Sequence, residues 1–395
     1  MIQVLPGGDV SNETKFVDFL TRGSPPEDYE AQLLREHSSR VKAIFEGKIV
    51  PPYELEIQPT AKCNLKCRHC FGRDYCKLGD KIGLEEMKVI AERVDEFREN
   101  GFSIDVVKFC GATGEPLLNP VTAVSVPMFK EMGKKVIVFS NGVNLDRRDD
   151  VGRSYYEDVA LADKFNLSLD AGSRKTFFKL KGRDEFKRII SNLEKLVGAR
   201  GKNGDAVNVV VSYVIGRENY GETAGTAKLV KEIGADEIRY RVDFTDADGI
   251  AAIAPEIIEQ LGKADGLKDE KFRVVSVYSD GEISEGKGVF ESDGRKCFNH
   301  HFWASIGPDC ELYACGHRTH GGVKSYGNVL EKPLKELWAS EERINSVKCL
   351  PDKHCEHCSP SSTRRNEFMT FLEGLGRENT YELLEKYGRR DYCKR

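Results

Sequence analysis

Cys63, Cys67 and Cys70 form a C-x3-C-x2-C run within AKCNLKCRHC (61–70), and Cys76 follows six places later. Thiolates are soft ligands that suit iron–sulfur clusters or zinc. A 4Fe–4S cubane ordinarily takes four cysteines, so three in one short loop leave one iron open to a small chelating ligand. The zinc alternative needs a fourth donor, for which Cys76 or His69 is at hand. The other cysteines gather far along the chain, as Cys297, Cys310 and Cys315 and then Cys349, Cys355 and Cys358, with Cys110 and Cys393 alone. The start, MIQVLPGGDVSNETKF, has neither the basic opening nor the apolar core of a secretory signal, so a cytoplasmic location is expected. In a reducing compartment twelve cysteines speak for metal ligation rather than disulfides, and two groups speak for two metal centres.

These loops need a frame. ELEIQPT (54–60) reads as a strand running straight into the first cysteine loop, and 83–100 as a helix with Leu84, Met87, Ile90, Ala91, Val94 and Phe97 on one face. Further strands are expected at 105–111, 134–142, 164–172, 208–216 and 236–243, with helices near 121–132, 154–162, 183–199 and 221–234 between them. Such alternation predicts a parallel sheet with right-handed crossovers. Polar, glycine-rich segments (TAKCNLKC, GATGEP, SNG, SLDAG, VIGREN) collect after five of the strands. That favours a barrel, whose site lies at the C-terminal strand ends, over a doubly wound sheet with one switch point. The expected class is α/β, a partial (β/α)6 TIM-like barrel over 51–250. A helical accessory segment (1–50) precedes it, with a helix from Glu27 to Glu46 started by Pro25-Pro26 and ended by Gly47. A linker and a small cysteine-bearing extension (251–360) and a helical tail (361–395) follow. A net charge of −4 argues against nucleic acid as partner. No apolar run approaches the roughly 20 residues that span a bilayer, so no membrane association is expected.

Directly after the first strand of such a barrel, the C-x3-C-x2-C run resembles the signature of radical S-adenosylmethionine (SAM) enzymes. The resemblance implies that Cys63, Cys67 and Cys70 hold a 4Fe–4S cluster whose open iron is chelated by the amino and carboxylate groups of SAM. One electron from an external donor such as flavodoxin or ferredoxin then cleaves SAM to methionine and a 5′-deoxyadenosyl radical, which abstracts a substrate hydrogen atom. GATGEPLL (111–118) resembles the family's Gly-Gly-Glu-Pro segment, matching at Gly114, Glu115 and Pro116, and implies backbone contacts to the SAM amino group. Ser140 and Asn141, then Ser168 and Asp170, stand at the third and fourth strand ends, where related enzymes bind the SAM ribose and carboxylate. Ile215 resembles the residue that packs on adenine. His69 stands where the family commonly has Tyr or Phe; its ring can still stack, or serve as an adventitious ligand.

CFNHHFWASIGPDCELYACG (297–316), followed by SYGNVLEKPLKELW and KHCEHC, resembles the SPASM/twitch extension of the same enzymes. By that resemblance Cys297, Cys315, Cys355 and Cys358 hold one auxiliary 4Fe–4S cluster, with Cys349 the rival for a ligand position. Arg364 stands where a full SPASM domain has a further cysteine, so the shorter twitch form is expected. Cys310 replaces the hairpin's usual Gly, as a packed thiol, a spare ligand or a hydrogen-atom donor. His300, His301, His317, His320, His354 and His357 crowd the region, which leaves a zinc site as the alternative.

With four cysteine ligands the auxiliary cluster is expected to be an electron conduit, in a radical oxidation, an epimerisation or a related rearrangement. Arg239 and Arg241 alternate with Tyr240 and Val242, so both face one side of the sixth strand. If that side is the barrel interior they can bind a substrate carboxylate or phosphate, or assist deprotonation. The alternative is ion pairing with Asp236, Glu237 or Asp243; Tyr213 and Asn219 are further candidates for the pocket. The expected substrate is a small polar metabolite, such as a sugar, aminocyclitol or nucleoside-like compound. A peptide maturase of ribosomal natural products is the alternative, although the segment ahead of the barrel lacks a hairpin-rich leader-binding pattern. A non-catalytic iron–sulfur redox protein would leave GATGEP and SLDAG unexplained.

Overall fold

The computed structural model describes residues 11–21, 29–70, 72–73, 79, 81–200, 207–286, 296–355 and 358–388. Cys76, His357, Cys393 and the expected Pro25-Pro26 helix start lie outside them. Two helices, α1 (Asn12–Thr21) and α2 (Tyr29–Phe45), precede the first strand, β1 (Glu54–Ile57). Alternation follows as α3 (Leu84–Glu96), β2 (Val106–Phe109), α4 (Val121–Glu131), β3 (Lys135–Ser140), α5 (Tyr155–Val159) and β4 (Lys164–Ser168). It continues through α6 (Arg174–Lys181), α7 (Phe186–Gly198), β5 (Asn208–Ile215), α8 (Thr223–Ile233) and β6 (Glu237–Val242). Then come α9 (Ala247–Ala251), α10 (Ala254–Asp265), β7 (Arg273–Ser276), α11 (Asp280–Ser284) and the hairpin β8 (Trp303–Ile306) and β9 (Leu312–Tyr313). The last helices are α12 (Leu334–Ala339), α13 (Glu341–Lys348), α14 (Pro360–Leu375) and α15 (Arg377–Tyr387).

All these strands join one open sheet in the order β7-β6-β5-β4-β3-β2-β1-β8-β9. Pairing is parallel from β7 to β8, and β9 returns antiparallel. The expected partial barrel is present, extended by strands the sequence did not announce. β7 lengthens one end. At the other, β8 pairs with β1 in the register Glu54↔Trp303 to Ile57↔Ile306, so the second cysteine group rides on the barrel's own sheet. An unclosed barrel leaves the main chain of its first strand unpaired, and β8 supplies the missing ladder.

Neighbouring strand residues face opposite sides. Leu55, Ile57, Val107, Phe109, Val136, Val138, Phe165 and Leu167 are fully buried between sheet and helices. There α3 presents Met87, Ile90, Ala91 and Val94 at helical spacing. The other set of strand residues faces the barrel interior, where Glu54, Glu56, Lys108, Asn166 and Ser212 stand among the apolar Ile137, Phe139, Val210 and Val214. Lys108 Nζ lies 2.7 Å from Glu54 Oε1 and 2.8 Å from Glu56 Oε2, and Ser212 Oγ donates to Asn166 Oδ1 at 2.7 Å. Burial works against the Lys108 charge, yet the two carboxylates hold its pKa above the ordinary lysine value. Buried charges are retained when paired, and these pairs give the interior fixed polar groups among its apolar ones.

A second core joins the two ends of the chain. Phe16 of α1 and Leu33, Leu34 and Val41 of α2 pack with Phe368 and Leu372 of α14 and Leu383 and Leu384 of α15. No helix among the described residues is long and apolar enough to cross a membrane.

Candidate active site

The end of α6 and two strand-end loops clamp the first cysteine loop. The N–H groups of Lys66 and Arg68 donate to Lys181 O (2.9 Å) and Leu180 O (3.0 Å) at the end of α6. From the loop after β2, Glu115 N donates to Lys62 O at 2.8 Å. From the loop after β3, Asn141 Nδ2 donates to Asn64 Oδ1 at 2.7 Å. The β2 loop is held from within, because buried Glu115 accepts from Leu117 N (3.0 Å), Ser140 Oγ (2.6 Å) and Asn141 N (2.8 Å). Gly114 approaches the cysteine loop so closely that a Cβ there would stand 2.0 Å from Thr60 O. Gly114→Ala must push two backbones apart, so it is expected to destabilise by about 1–3 kcal/mol and to lower the iron retained on reconstitution. A wild-type melting temperature and iron content would refute the clamp.

The remaining clamp is ionic. Asp170 follows β4 in the left-handed region (φ 57°), and its side chain and that of Lys181 are each 3% exposed. Asp170 Oδ2 accepts from Lys181 Nζ and from His69 Nε2 (3.1 Å), and Oδ1 accepts from Val214 N (2.7 Å). Burial disfavours the charge, yet Lys181 and His69 hold the Asp170 carboxyl well below the usual carboxylate range. Burial pushes the Cys67 thiol up while the Lys181 ammonium beside it pulls it down. Cys63 is pushed up to about 11, first by burial and then by Glu115, Cys67 and Cys70, so the three thiols feel one another. Lys181 and α6 escaped the sequence reading. The missed signal was a pair of caps: Ser173 Oγ accepts from Thr176 N, and Gly182 closes the helix at φ 69°.

Beside this clamp opens a cavity of about 360 Å³ whose lining includes Arg68, His69, Val214, Gly216, Glu218 and Asp243. Ile215 does not reach it. Alternation along β5 turns Val214 to the cavity and leaves Ile215 fully buried under the helices. Tyr213 is turned the same way as Ile215, its hydroxyl donating to Asn219 O at 2.8 Å. Asn219 borders the cavity and braces it, donating from Nδ2 to Asp170 O (2.9 Å) and Val214 O (2.8 Å). Ser140 points into the Glu115 cluster, where its oxygen also accepts from Gly142 N at 2.9 Å. Ser168, half-buried, ends β4 on the interior face.

Cys297, Cys315, Cys355 and Cys358 line a second cavity of about 60 Å³, together with His300, Trp303 and His317. Burial lifts the Cys315 thiol well above its ordinary value, and Cys297, Cys358 and Cys355 lift it further. Cys297 is pushed up to about 12, by burial before all else. Cys349 is exposed and lines a separate surface cleft with Glu342 and Asn345, so the geometry gathers the other four. Asn366 of α14 helps close the cavity, its Oδ1 accepting from Phe298 N (2.7 Å) and Asn299 N (2.8 Å). Trp303, which the sequence did not single out, stands between this cavity and the barrel interior. Lys108 Nζ lies 4.5 Å from its ring centre, and its buried Nε1 has no partner among the described residues.

Arg239 and Arg241 face the interior, since Ile238, Tyr240 and Val242 are buried on the other side of β6. Arg239 forms the ion pair weighed as the alternative, donating from Nε (2.8 Å) and Nη2 (2.7 Å) to Glu237 Oε1. Arg241 is half-buried near Tyr278. Cys310 takes the left-handed conformation (φ 61°) that favours glycine, at the turn of the β8–β9 hairpin. It is buried in the core and lines neither cavity beside the cysteine groups.

Residues 57–230 match the radical SAM superfamily, and residues 297–359 match SPASM, an iron–sulfur cluster-binding domain. The chain carries a radical SAM domain and a SPASM domain. A probable GTP 3′,8-cyclase from Saccharolobus islandicus is 28% identical over 245 residues, covering 60% of this chain and 74% of that relative. Streptococcus suis SuiB bound to S-adenosylmethionine superposes with a TM-score of 0.57 at 17% identity, over 88% of this chain and 85% of its own. Native anSMEcpe with bound AdoMet gives 0.51 at 17% identity, over 86% and 100%. The two structures share the fold.

The radical SAM domain implies a 4Fe–4S cluster and SAM, and the SPASM domain an auxiliary iron–sulfur centre. The donors present fit both groups: three mutually interacting thiols on a clamped loop, and four thiols around one enclosed space. Among the described residues no three His, Cys, Asp or Glu side chains converge as they would on a single metal ion. A cubane spreads its ligands over separate irons and so needs a wider ring of sulfurs than zinc does. In the SPASM region Arg364, at the place of a further cysteine, sits in α14 with Nη2 4.0 Å from Glu282 Oε1.

Proposed function

We propose that Cys63, Cys67 and Cys70 hold the cluster of the radical SAM domain, and that Cys297, Cys315, Cys355 and Cys358 hold the auxiliary one. The cavity bounded by His69, Val214 and Asp243 takes the adenosine part of SAM, with Gly114, Asn141 and Asp170 fixing the loop beside it. When bound, cluster and SAM supply a 5′-deoxyadenosyl radical that removes a substrate hydrogen atom. The substrate is a small polar metabolite, nucleoside-like or sugar-like, that undergoes radical oxidation, epimerisation or a related rearrangement. The auxiliary centre serves as electron conduit, a flavodoxin- or ferredoxin-type protein is the external donor, and the setting is the cytoplasm.

The fixed polar pairs in the barrel interior carry this reading. Glu56 is paired with Lys108, Asn166 with Ser212 and Arg239 with Glu237, and preorganised groups of this kind orient a small polar reactant without reorganising. The likeness to a probable GTP 3′,8-cyclase supports a nucleoside-like compound. A peptide substrate is the second reading, because SuiB, whose fold this chain shares, has been solved with its precursor peptide SuiA. Against it, the described residues ahead of β1 form helices packed on α14 and α15 rather than strands.

The test incubates reduced holoenzyme and SAM with nucleotides, sugars and aminocyclitols in one series and with peptides in another. Formation of 5′-deoxyadenosine above the substrate-free rate is expected with a small metabolite. Stimulation confined to peptides would overturn the reading.

A further inference from the structure

Two cationic side chains line the four-cysteine cavity. Lys296 is 64% exposed and paired with Glu373, whereas the Arg318 side chain is 7% exposed. Arg318 Nη1 donates to Cys355 Sγ at 3.5 Å. Its guanidinium is held there by a two-point pair with Asp352, Nη1 to Oδ1 and Nη2 to Oδ2 (2.9 Å). Asp352 is itself fixed, accepting from His354 N at 2.9 Å. The chain builds this brace symmetrically. Arg318 N bonds Cys315 O at 3.0 Å, three residues after one cysteine, and Cys355 N bonds Asp352 O at 2.9 Å, three residues before another.

The geometry points to Arg318 as the residue that sets the reduction potential of the auxiliary cluster, raising it through a charged hydrogen bond to Cys355. A cluster gains one negative charge on reduction, and hydrogen bonds to its sulfurs and nearby positive charge stabilise that form. An arginine stays charged at every working pH, so the effect is a fixed bias and not a titration. Asp352 Oδ1 lies 3.7 Å from the same sulfur and opposes it. The guanidinium prevails because it donates to the sulfur and is the more deeply buried of the two, at 7% against 33% exposed, and buried charges are the less screened.

The inference rests on the four cysteines holding the auxiliary cluster, and the test separates the two. Holoenzymes of wild type, Arg318→Met and Arg318→Lys are titrated with reductant, both clusters being followed by electron paramagnetic resonance and iron counted in each sample. Arg318→Met is expected to shift the reduction equilibrium of the auxiliary cluster at least tenfold towards the oxidised form, which is about 59 mV for one electron. Arg318→Lys is expected to shift it less, and the SAM-binding cluster should stay where it is. An unmoved or raised auxiliary midpoint in fully loaded Arg318→Met overturns the proposal. If Arg318→Met loses auxiliary iron, Arg318→Lys decides, and a wild-type midpoint there overturns it. Loss of auxiliary iron from both variants also overturns it, marking Arg318 as an assembly residue. Absence of a second cluster signal from wild type would instead refute the ligand assignment.

Discussion

Cys67→Ala is expected to reduce reductive cleavage of SAM to the level of protein without iron, whereas Cys315→Ala leaves cleavage running and stops product formation. The difference follows from where the two thiols stand. Cys67 belongs to the loop clamped by the ends of β2, β3 and α6, and its sulfur shares one field with Cys63 and Cys70. Two remaining thiols cannot hold a cubane that has already given up one protein ligand. Cys315 lines the other cavity with Cys297, Cys355 and Cys358, away from the loop that would seat SAM. The readout is 5′-deoxyadenosine per chain under excess reductant, alongside substrate conversion. Equal loss of cleavage in both variants would contradict the division of labour.

Asp170→Asn is expected to be among the most destabilising single changes in the barrel. It leaves the Lys181 ammonium, 3% exposed, without its carboxylate and takes an acceptor from His69. Breaking a buried pair by removing one partner costs about 3–5 kcal/mol. The pH dependence has a definite sign. The folded pKa of Asp170 is depressed, so its stabilisation is complete above the unfolded value of about 3.9 and is lost as pH falls through the folded pKa. That of Lys181 is raised, so its share is complete below the unfolded value of about 10.4 and is lost as pH rises through the folded one. Thermal melts of apoprotein should therefore show a wild-type advantage that is flat from about pH 5 to 9 and shrinks in acid. A difference below about 1 kcal/mol at neutral pH, the range of an exposed pair, would show that the pair is not buried as described.

What could be read from the sequence follows from the range over which each signal acts. The strands came from alternation and the helices from apolar spacing, both local, and the expected 208–216 strand is observed as Asn208–Ile215. The C-x3-C-x2-C and C-x2-C spacings are local as well, whereas the meeting of Cys297 and Cys315 with Cys355 and Cys358 around one cavity is made by the fold. Face assignment was not: choosing Ile215 over Val214 requires knowing which side of β5 meets the helices, and that is decided only by packing. Lys181 was hidden for a similar reason, since in RKTFFKLK it reads as one solvated lysine among several until α6 folds beneath the cysteine loop. The union of β8 with β1 is a contact between segments far apart in the chain, carried by short strands with no pairing signal of their own.

The most direct test is iron and sulfide content after anaerobic reconstitution of the full chain, with Mössbauer spectra to assign the cluster type. Three cysteines on the clamped loop and four around one cavity predict about eight irons per chain, all in 4Fe–4S form, and about four in a variant lacking Cys355 and Cys358. Four irons or fewer in wild type, or a stoichiometric single zinc in place of either cluster, would contradict the account.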